Sequence, residues 1–219
     1  MPVTRSEAAV MIPVEGRMIE ASLTVPHRPA GLIIFAHGRG GVRGDGRSGL
    51  MAAELRKAGL ATLDYDLLTP AELAQPDYVF SADVPAKRLD AIIRWASEHK
   101  DLRGLPIALL GWGTGISAAL VVAAQPGNPV RALVSCGGRP EFAGESVLEV
   151  MAPSLFIVGG FDWAIIDLNE AAVNRMRSAA RMEVVEGATN GFEEAGALEA
   201  AAQLARNWFG KWLGTWLVA

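Results

Sequence analysis

The stretch Pro106-Ile-Ala-Leu-Leu-Gly111-Trp112-Gly113-Thr114-Gly115-Ile-Ser-Ala-Ala-Leu120 decides the fold of this chain. An apolar run ends in a cluster of alternating glycines, and a helical pattern starts at once. That is the strand, sharp turn and helix context of the G-x-S-x-G nucleophile elbow, in which the central side chain is pushed out toward a substrate. Here the central residue is Gly113, so the frame of an elbow is present and its reactive side chain is not.

Outward from that stretch, strands and helices alternate. Gly31 to Ala36 reads as a fully buried strand, Leu50 to Ala58 as a helix closed by Gly59, and Ala61 to Tyr65 as the next strand. Arg17 to Thr24 has the mixed character of an edge strand, and Thr69 to Pro85 reads as a polar connection. A helix over Ala86 to Glu98 then places Leu89, Ile92, Ile93 and Trp95 mostly on one face. Beyond the elbow helix, Ile116 to Ala124, come strands at Val130 to Ser135, Ser154 to Gly159 and Arg181 to Val185. A helix is expected over Asn169 to Ala180, and a long one over Ala195 to Leu217 that carries Trp208, Phe209, Trp212 and Trp216, the first three as a core-facing stripe. This alternation predicts an α/β fold with a mostly parallel, doubly wound sheet, helices on both faces and no large lid, in a single domain over 1–219.

Composition narrows the partners. A chain of 219 residues with 51% hydrophobic residues can bury one sizeable core, and its net charge of −4 lacks the basic field of a nucleic-acid binder. No apolar run approaches the roughly 20 residues that cross a bilayer, so no membrane span is predicted. With a single cysteine, Cys136, and no signal-like apolar core at Met1 to Glu7, a cytoplasmic location is expected. No metal is expected, because no pair of histidines stands at ligand spacing, and no cofactor is expected either. The expected partners are a small molecule bearing a carbonyl or carboxylate and a second copy of the chain as a homodimer.

Two loops occupy the carboxyl edge of such a sheet, where ligands bind. One is His37-Gly38-Arg39-Gly40-Gly41, and the other is Gly111 to Gly115. A rival reading takes Gly113-Thr114-Gly115-Ile116-Ser117-Ala118 as the G-x-G-x-x-A of a dinucleotide site. The next strand ends in Ser135-Cys136-Gly137 without the acidic residue that a ribose would need, which disfavours it.

The motifs taken together resemble the α/β-hydrolase fold, and within it the small dienelactone-hydrolase-like proteins. They are Phe35-Ala-His-Gly38, Ala58 to Asp64 followed by Leu67-Leu-Thr69, Arg88-Leu-Asp90, the elbow, Gly137-Gly-Arg-Pro140, Leu155 to Asp162, and Gly187 to Glu194. The resemblance implies a nucleophile at position 113, an acid at Asp162 and a histidine at position 190, where this chain has Gly113 and Asn190. It also implies oxyanion-hole donors at the backbone N–H groups of Arg39 and Thr114, with Trp112 beside them, and gives His37 and Gly38 loop-shaping roles. The departure stands without any family knowledge: His27, His37 and His99 all precede the elbow, so the order nucleophile, acid, histidine cannot be built.

Substitute nucleophiles are Cys136, at the carboxyl end of a strand, and more remotely Thr114 or Ser117. Arg39, Arg43 and Arg47 surround Asp45 on the glycine-rich loop, and Arg39 is the one expected to fork onto a ligand carboxylate or enolate. Asp64 and Asp66 are further candidate pocket acids. The first reading is therefore a degenerate-triad protein that binds a small carbonyl-containing metabolite, acting as a cyclase, isomerase or lyase or as a silent binder. The alternative is an ester or lactone hydrolase using a residue such as Cys136, or an ordinary serine hydrolase with its triad positions replaced.

Overall fold

A computed structural model describes residues 4–39 and 43–214. Eight strands form one sheet in the order β1-β2-β4-β3-β5-β6-β7-β8, where β1 is Thr4–Val14, β2 Arg17–Pro26, β3 Gly31–His37, β4 Leu60–Tyr65, β5 Ile107–Trp112, β6 Val130–Cys136, β7 Ser154–Gly159 and β8 Ala180–Val185. The β1–β2 and β2–β4 pairings are antiparallel and all the others parallel, as the alternation of strands and helices predicts.

Each central strand is apolar on both faces, and the pleat deals successive residues to opposite layers. Leu32, Ile34 and Leu109 pack under α4 (Asp83–Glu98) and α5 (Gly115–Ala123). Ile33, Phe35, Leu110, Val134 and Cys136 pack under α1 (Gly46–Lys57) and α7 (Ala197–Leu213). Trp208 and Phe209 belong to that second layer, and Trp212 stacks on Trp208 at 5.9 Å with about a third of its surface exposed. Trp216 and Leu217 lie outside the described residues.

Three local expectations are corrected. The segment Arg17 to Thr24 is not an edge strand, because β1 covers its outer side and takes the edge itself; Met11 faces out between the inward Val10 and Ile12. The polar connection from Thr69 contains two short helices, α2 (Pro70–Leu73) and α3 (Pro76–Val79), each opened by a proline at its first position, where the missing N–H is no loss. The helix expected over 169–180 is α6, Trp163–Arg175, which starts six residues earlier because the Asp162 carboxylate accepts from the Ile165 N–H and caps it. Trp163 is mostly exposed, so the first turn of α6 breaks the amphipathic pattern.

A buried ion pair fixes the connection after β4. Arg88 of α4 donates to both Glu72 oxygens at 2.8 Å and to the Leu67 carbonyl at 2.9 Å, while Glu72 closes a capping box with Thr69. The Arg88 hydrogen bonds hold the Glu72 carboxyl down at about 2. A carboxyl depressed in the folded state adds stability above its unfolded value near 4.5, and that stability is lost as pH falls toward 2. Arg88→Met leaves Glu72 only the mostly exposed Arg17 guanidinium, 3.3 Å away, and is expected to cost about 3 kcal/mol in urea unfolding at neutral pH. At pH 3 much of that difference disappears; an equal loss at both pH values would contradict the assignment.

Candidate functional site

The elbow is built by close backbone approach. A Cβ on Gly111 would lie 2.5 Å from the Ile116 Cα, and one on Gly115 only 1.8 Å from the Ala36 carbonyl oxygen, so α5 starts directly behind β3 and β5. Gly38 meets the Gly115 nitrogen and the Thr114 hydroxyl at 2.3 Å from its own Cβ position. At the apex Gly113 has φ +56°, the left-handed backbone of a nucleophile turn, with no side chain to present.

A cavity of about 380 Å³ opens above this turn at the carboxyl edge of the sheet. Gly113, Asp162 and Asn190 line it together with Arg39, Trp112 and Thr114, so the three triad positions inferred from the motifs do converge. Their chemistry does not. The Asn190 Nδ2 donates to the Gly137 carbonyl at 3.0 Å, while its Oδ1 is buried without a hydrogen-bond partner. Asp162 is occupied in capping α6. The set holds no histidine to take a proton from a nucleophile, and position 113 supplies no nucleophile.

The expected oxyanion donors are engaged with each other's residues. The Arg39 N–H donates to the Thr114 hydroxyl at 2.9 Å, and the Thr114 N–H donates, over a long 3.4 Å, to the Arg39 carbonyl. A substrate oxygen entering here would have to displace the Thr114 hydroxyl first. The cause is the side chain of Thr114, which folds back over the gap beside Gly38.

Other singled-out residues lie elsewhere. His37 is buried and its Nε2 sits 2.6 Å from Asp64 Oδ1, while Asp64 Oδ2 accepts from the Gly44 N–H; the pair ties the glycine-rich loop to β3 and β4 rather than facing the cavity. Asp66 accepts from the Arg43 N–H, and the Arg43 guanidinium turns to Glu20 and Ser22. Neither Asp64 nor Asp66 lines the cavity above the elbow; Asp66 borders a separate pocket of about 250 Å³ with Glu20, Arg43 and Arg88. Gly40 and Gly41 lie outside the described residues.

Cys136 argues against the substitute-nucleophile reading. It is fully buried, it packs with Ala132 and Val134 in the α1/α7 layer, and burial pushes its thiol well above the ordinary range. Period-two alternation along β6 sends it to the core although its backbone reaches the strand end. Native protein is expected to resist iodoacetamide at pH 8 and to react only in denaturant; rapid native labelling would contradict the burial. Ser117 likewise spends its hydroxyl on the Arg139 carbonyl at 2.5 Å.

Sequence reasoning missed Arg139 and Phe80, both of which line the cavity. The Arg139 N–H donates to the Gly113 carbonyl at 2.9 Å, which draws the segment after β6 up to the elbow. Phe80 follows α3 and packs against Phe142 at 5.3 Å. Arg47, read only as a charge on a loop, also lines the cavity with its guanidinium 5.7 Å above the Trp112 ring. Among the described residues no group of His, Cys, Asp and Glu could hold a metal ion, and no helix is long and apolar enough to cross a membrane.

No family model matches the chain. Two Mycobacterium tuberculosis proteins, from strains CDC 1551/Oshkosh and H37Rv and each provisionally named a phosphoribosyl transferase, are 44% identical to it over 198 residues. That alignment takes in 90% of this chain and 44% of theirs, so the chain spans under half the length of these curated relatives. Among solved structures, dienelactone hydrolase from Anabaena variabilis is 38% identical with a TM-score of 0.88, over 94% of this chain and 98% of that one. Est1E from Butyrivibrio proteoclasticus (15%, TM-score 0.80, 94% and 99% covered) and an alpha-beta serine hydrolase homologue from Coxiella burnetii (21%, TM-score 0.75, 94% and 98% covered) share the fold.

Proposed function

Because the chain belongs to the dienelactone-hydrolase-like family of α/β-hydrolase-fold proteins, we propose that it keeps that family's cavity and has left its hydrolysis. It binds a small metabolite carrying a carbonyl and a carboxylate. Either it holds that ligand silently or it turns it over without acyl transfer, as a cyclase, isomerase or lyase. A cytoplasmic location belongs to the same proposal, resting on a lone cysteine that cannot form an internal disulfide.

One observation carries the reading. Gly113, Asp162 and Asn190 line a single cavity in which only the acid of a triad remains, while the arginines Arg39, Arg47 and Arg139 line the same space. Acyl transfer needs an attacking atom, a base beside it and donors aimed at the oxyanion. The elbow offers no attacking atom and the wall no histidine to serve one, and the donors are covered by Thr114. Guanidinium forks suit a carboxylate or an enolate, and they need no triad. The transferase name of the mycobacterial relatives describes proteins more than twice as long, and that activity is not proposed for this chain.

Isothermal titration with phenylpyruvate, which joins a ketone, a carboxylate and a ring, tests this. One site per chain is expected, weakened roughly tenfold by Arg139→Gln, the loss of about one charge-assisted hydrogen bond. Absence of binding, or binding indifferent to Arg139, would overturn the proposal.

A further inference from the structure

Three guanidiniums line the cavity, and although Asp45 and Glu141 each balance one of them, the N–H edges left unused outnumber what a single carboxylate can take. Arg47 is clamped between the Trp112 ring and Asp45, to which its Nε and Nη2 donate at 3.3 and 3.2 Å. Its Nη1 is left over, and it lies 3.5 Å from the Cβ position of Gly191, another residue of the cavity wall. Arg139 is held the same way, over the Phe142 ring at 5.3 Å with its Nε donating to Glu141 at 2.5 Å. Both Nη groups of Arg139, and the whole guanidinium of Arg39, have no acceptor among the described residues. Of the cavity-lining residues, Asp162 alone is acidic.

An aromatic face and one acid fix each of two guanidinium planes, so the unused N–H edges are oriented before any ligand arrives. Such an array loses little entropy on binding an oxyanion. Gly113, at the apex of the elbow, is one of three glycines in the same wall, with Gly137 and Gly191. A serine hydroxymethyl at 113 and an imidazole at 190 would project into the space that these edges surround.

Resting on the binding proposal above, we propose that this site takes a dianionic group, a phosphate monoester or a dicarboxylate, seated over Gly113 between Arg39, Arg47 and Arg139. The empty elbow is then the seat of the anion and not merely a lost nucleophile. Phe80, backed by the Phe142 ring at 5.3 Å, receives the apolar body of the ligand.

Titration calorimetry at pH 8 and constant ionic strength with phenyl phosphate, phthalate and benzoate tests the proposal, since all three share a ring and differ in charge. Phenyl phosphate, phthalate or both should bind at least roughly tenfold tighter than benzoate, and which of them does so identifies the source of the two charges. Arg39→Gln, on an exposed loop, should erase that preference, as should Arg139→Gln. Gly113→Ser should weaken the preferred dianion, and equal affinity in the parent and this variant would remove Gly113 as the seat. Benzoate binding as tightly as both dianions, still dependent on the arginines, would overturn the dianion inference and leave the carboxylate reading standing. If none of the three binds, or if the arginines do not matter, both fall.

Discussion

A Gly113→Ser/Asn190→His protein is expected to release nitrophenolate from p-nitrophenyl acetate in a burst followed by steady turnover. The turn already has the left-handed backbone that a nucleophile elbow requires, so a serine at 113 inherits its exposed position. Position 190 lines the same cavity as Asp162, which places an imidazole on the wall where the family's acid stands. Removal of a triad serine or histidine lowers turnover by about 10⁶ in a working serine enzyme, so restoring both should raise it by several orders of magnitude. The full gain is not expected at once. The Thr114 hydroxyl holds the Arg39 N–H at 2.9 Å, and one missing oxyanion donor costs on the order of 10² to 10³ in turnover. Adding Thr114→Ala to the double variant should therefore raise kcat by about 10². An unchanged kcat would show that the Arg39 N–H is not aimed at the reacting oxygen.

Gly115→Ala is the most damaging single change expected for the fold. Its Cβ would come within 1.8 Å of the Ala36 carbonyl oxygen and 2.8 Å of the Gly38 nitrogen, both rigid backbone atoms that cannot rotate away as a side chain would. Either α5 withdraws from β3 or the strand shifts, and overpacking of this kind costs on the order of 3 kcal/mol. In a chain of this size that lowers Tm by roughly 6 to 12 °C. Gly44→Ala is a useful contrast, because φ +73° strains it although no atom crowds its Cβ position. Its loss should be nearer 1 kcal/mol. A Gly115→Ala protein melting with the parent would mean that the elbow packs less closely than described.

This contrast explains how a chain can keep the outline of an elbow after losing its nucleophile. Gly111 and Gly115 are demanded by packing against Ile116 and Ala36, a requirement of folding that survives any change of chemistry. For the same reason the elbow was legible from sequence: glycines between an apolar strand and an apolar helix report a backbone crossing. The buried runs of β3 and β5 were legible because both faces of a central parallel strand are apolar. Strand β1 was not, since an edge strand with one exposed face and residues such as Met11 turned outward has a weak pattern. The start of α6 was hidden in a similar way by the exposed Trp163.

The site divides along the same line. Gly113, Asp162 and Asn190 could be singled out because the motifs around them resemble those of the dienelactone-hydrolase-like proteins. Arg139 and Phe80 reach the cavity through contacts distant in sequence, Arg139 by its backbone bond to Gly113 and Phe80 by two proline-opened helices braced by the Arg88–Glu72 pair. No local spacing encodes such contacts. Cys136 is a candidate nucleophile only by its place near a strand end, and the pleat turns its side chain into the α1/α7 core.

Whether this cavity binds without hydrolysing is decided by the turnover of p-nitrophenyl acetate by the unaltered chain. No burst and no saturable turnover is expected, with Cys136→Ala and Thr114→Ala giving the same result. A burst approaching one equivalent of nitrophenolate per chain would reveal a covalent nucleophile that this geometry does not provide, and the cavity would then be a hydrolytic site.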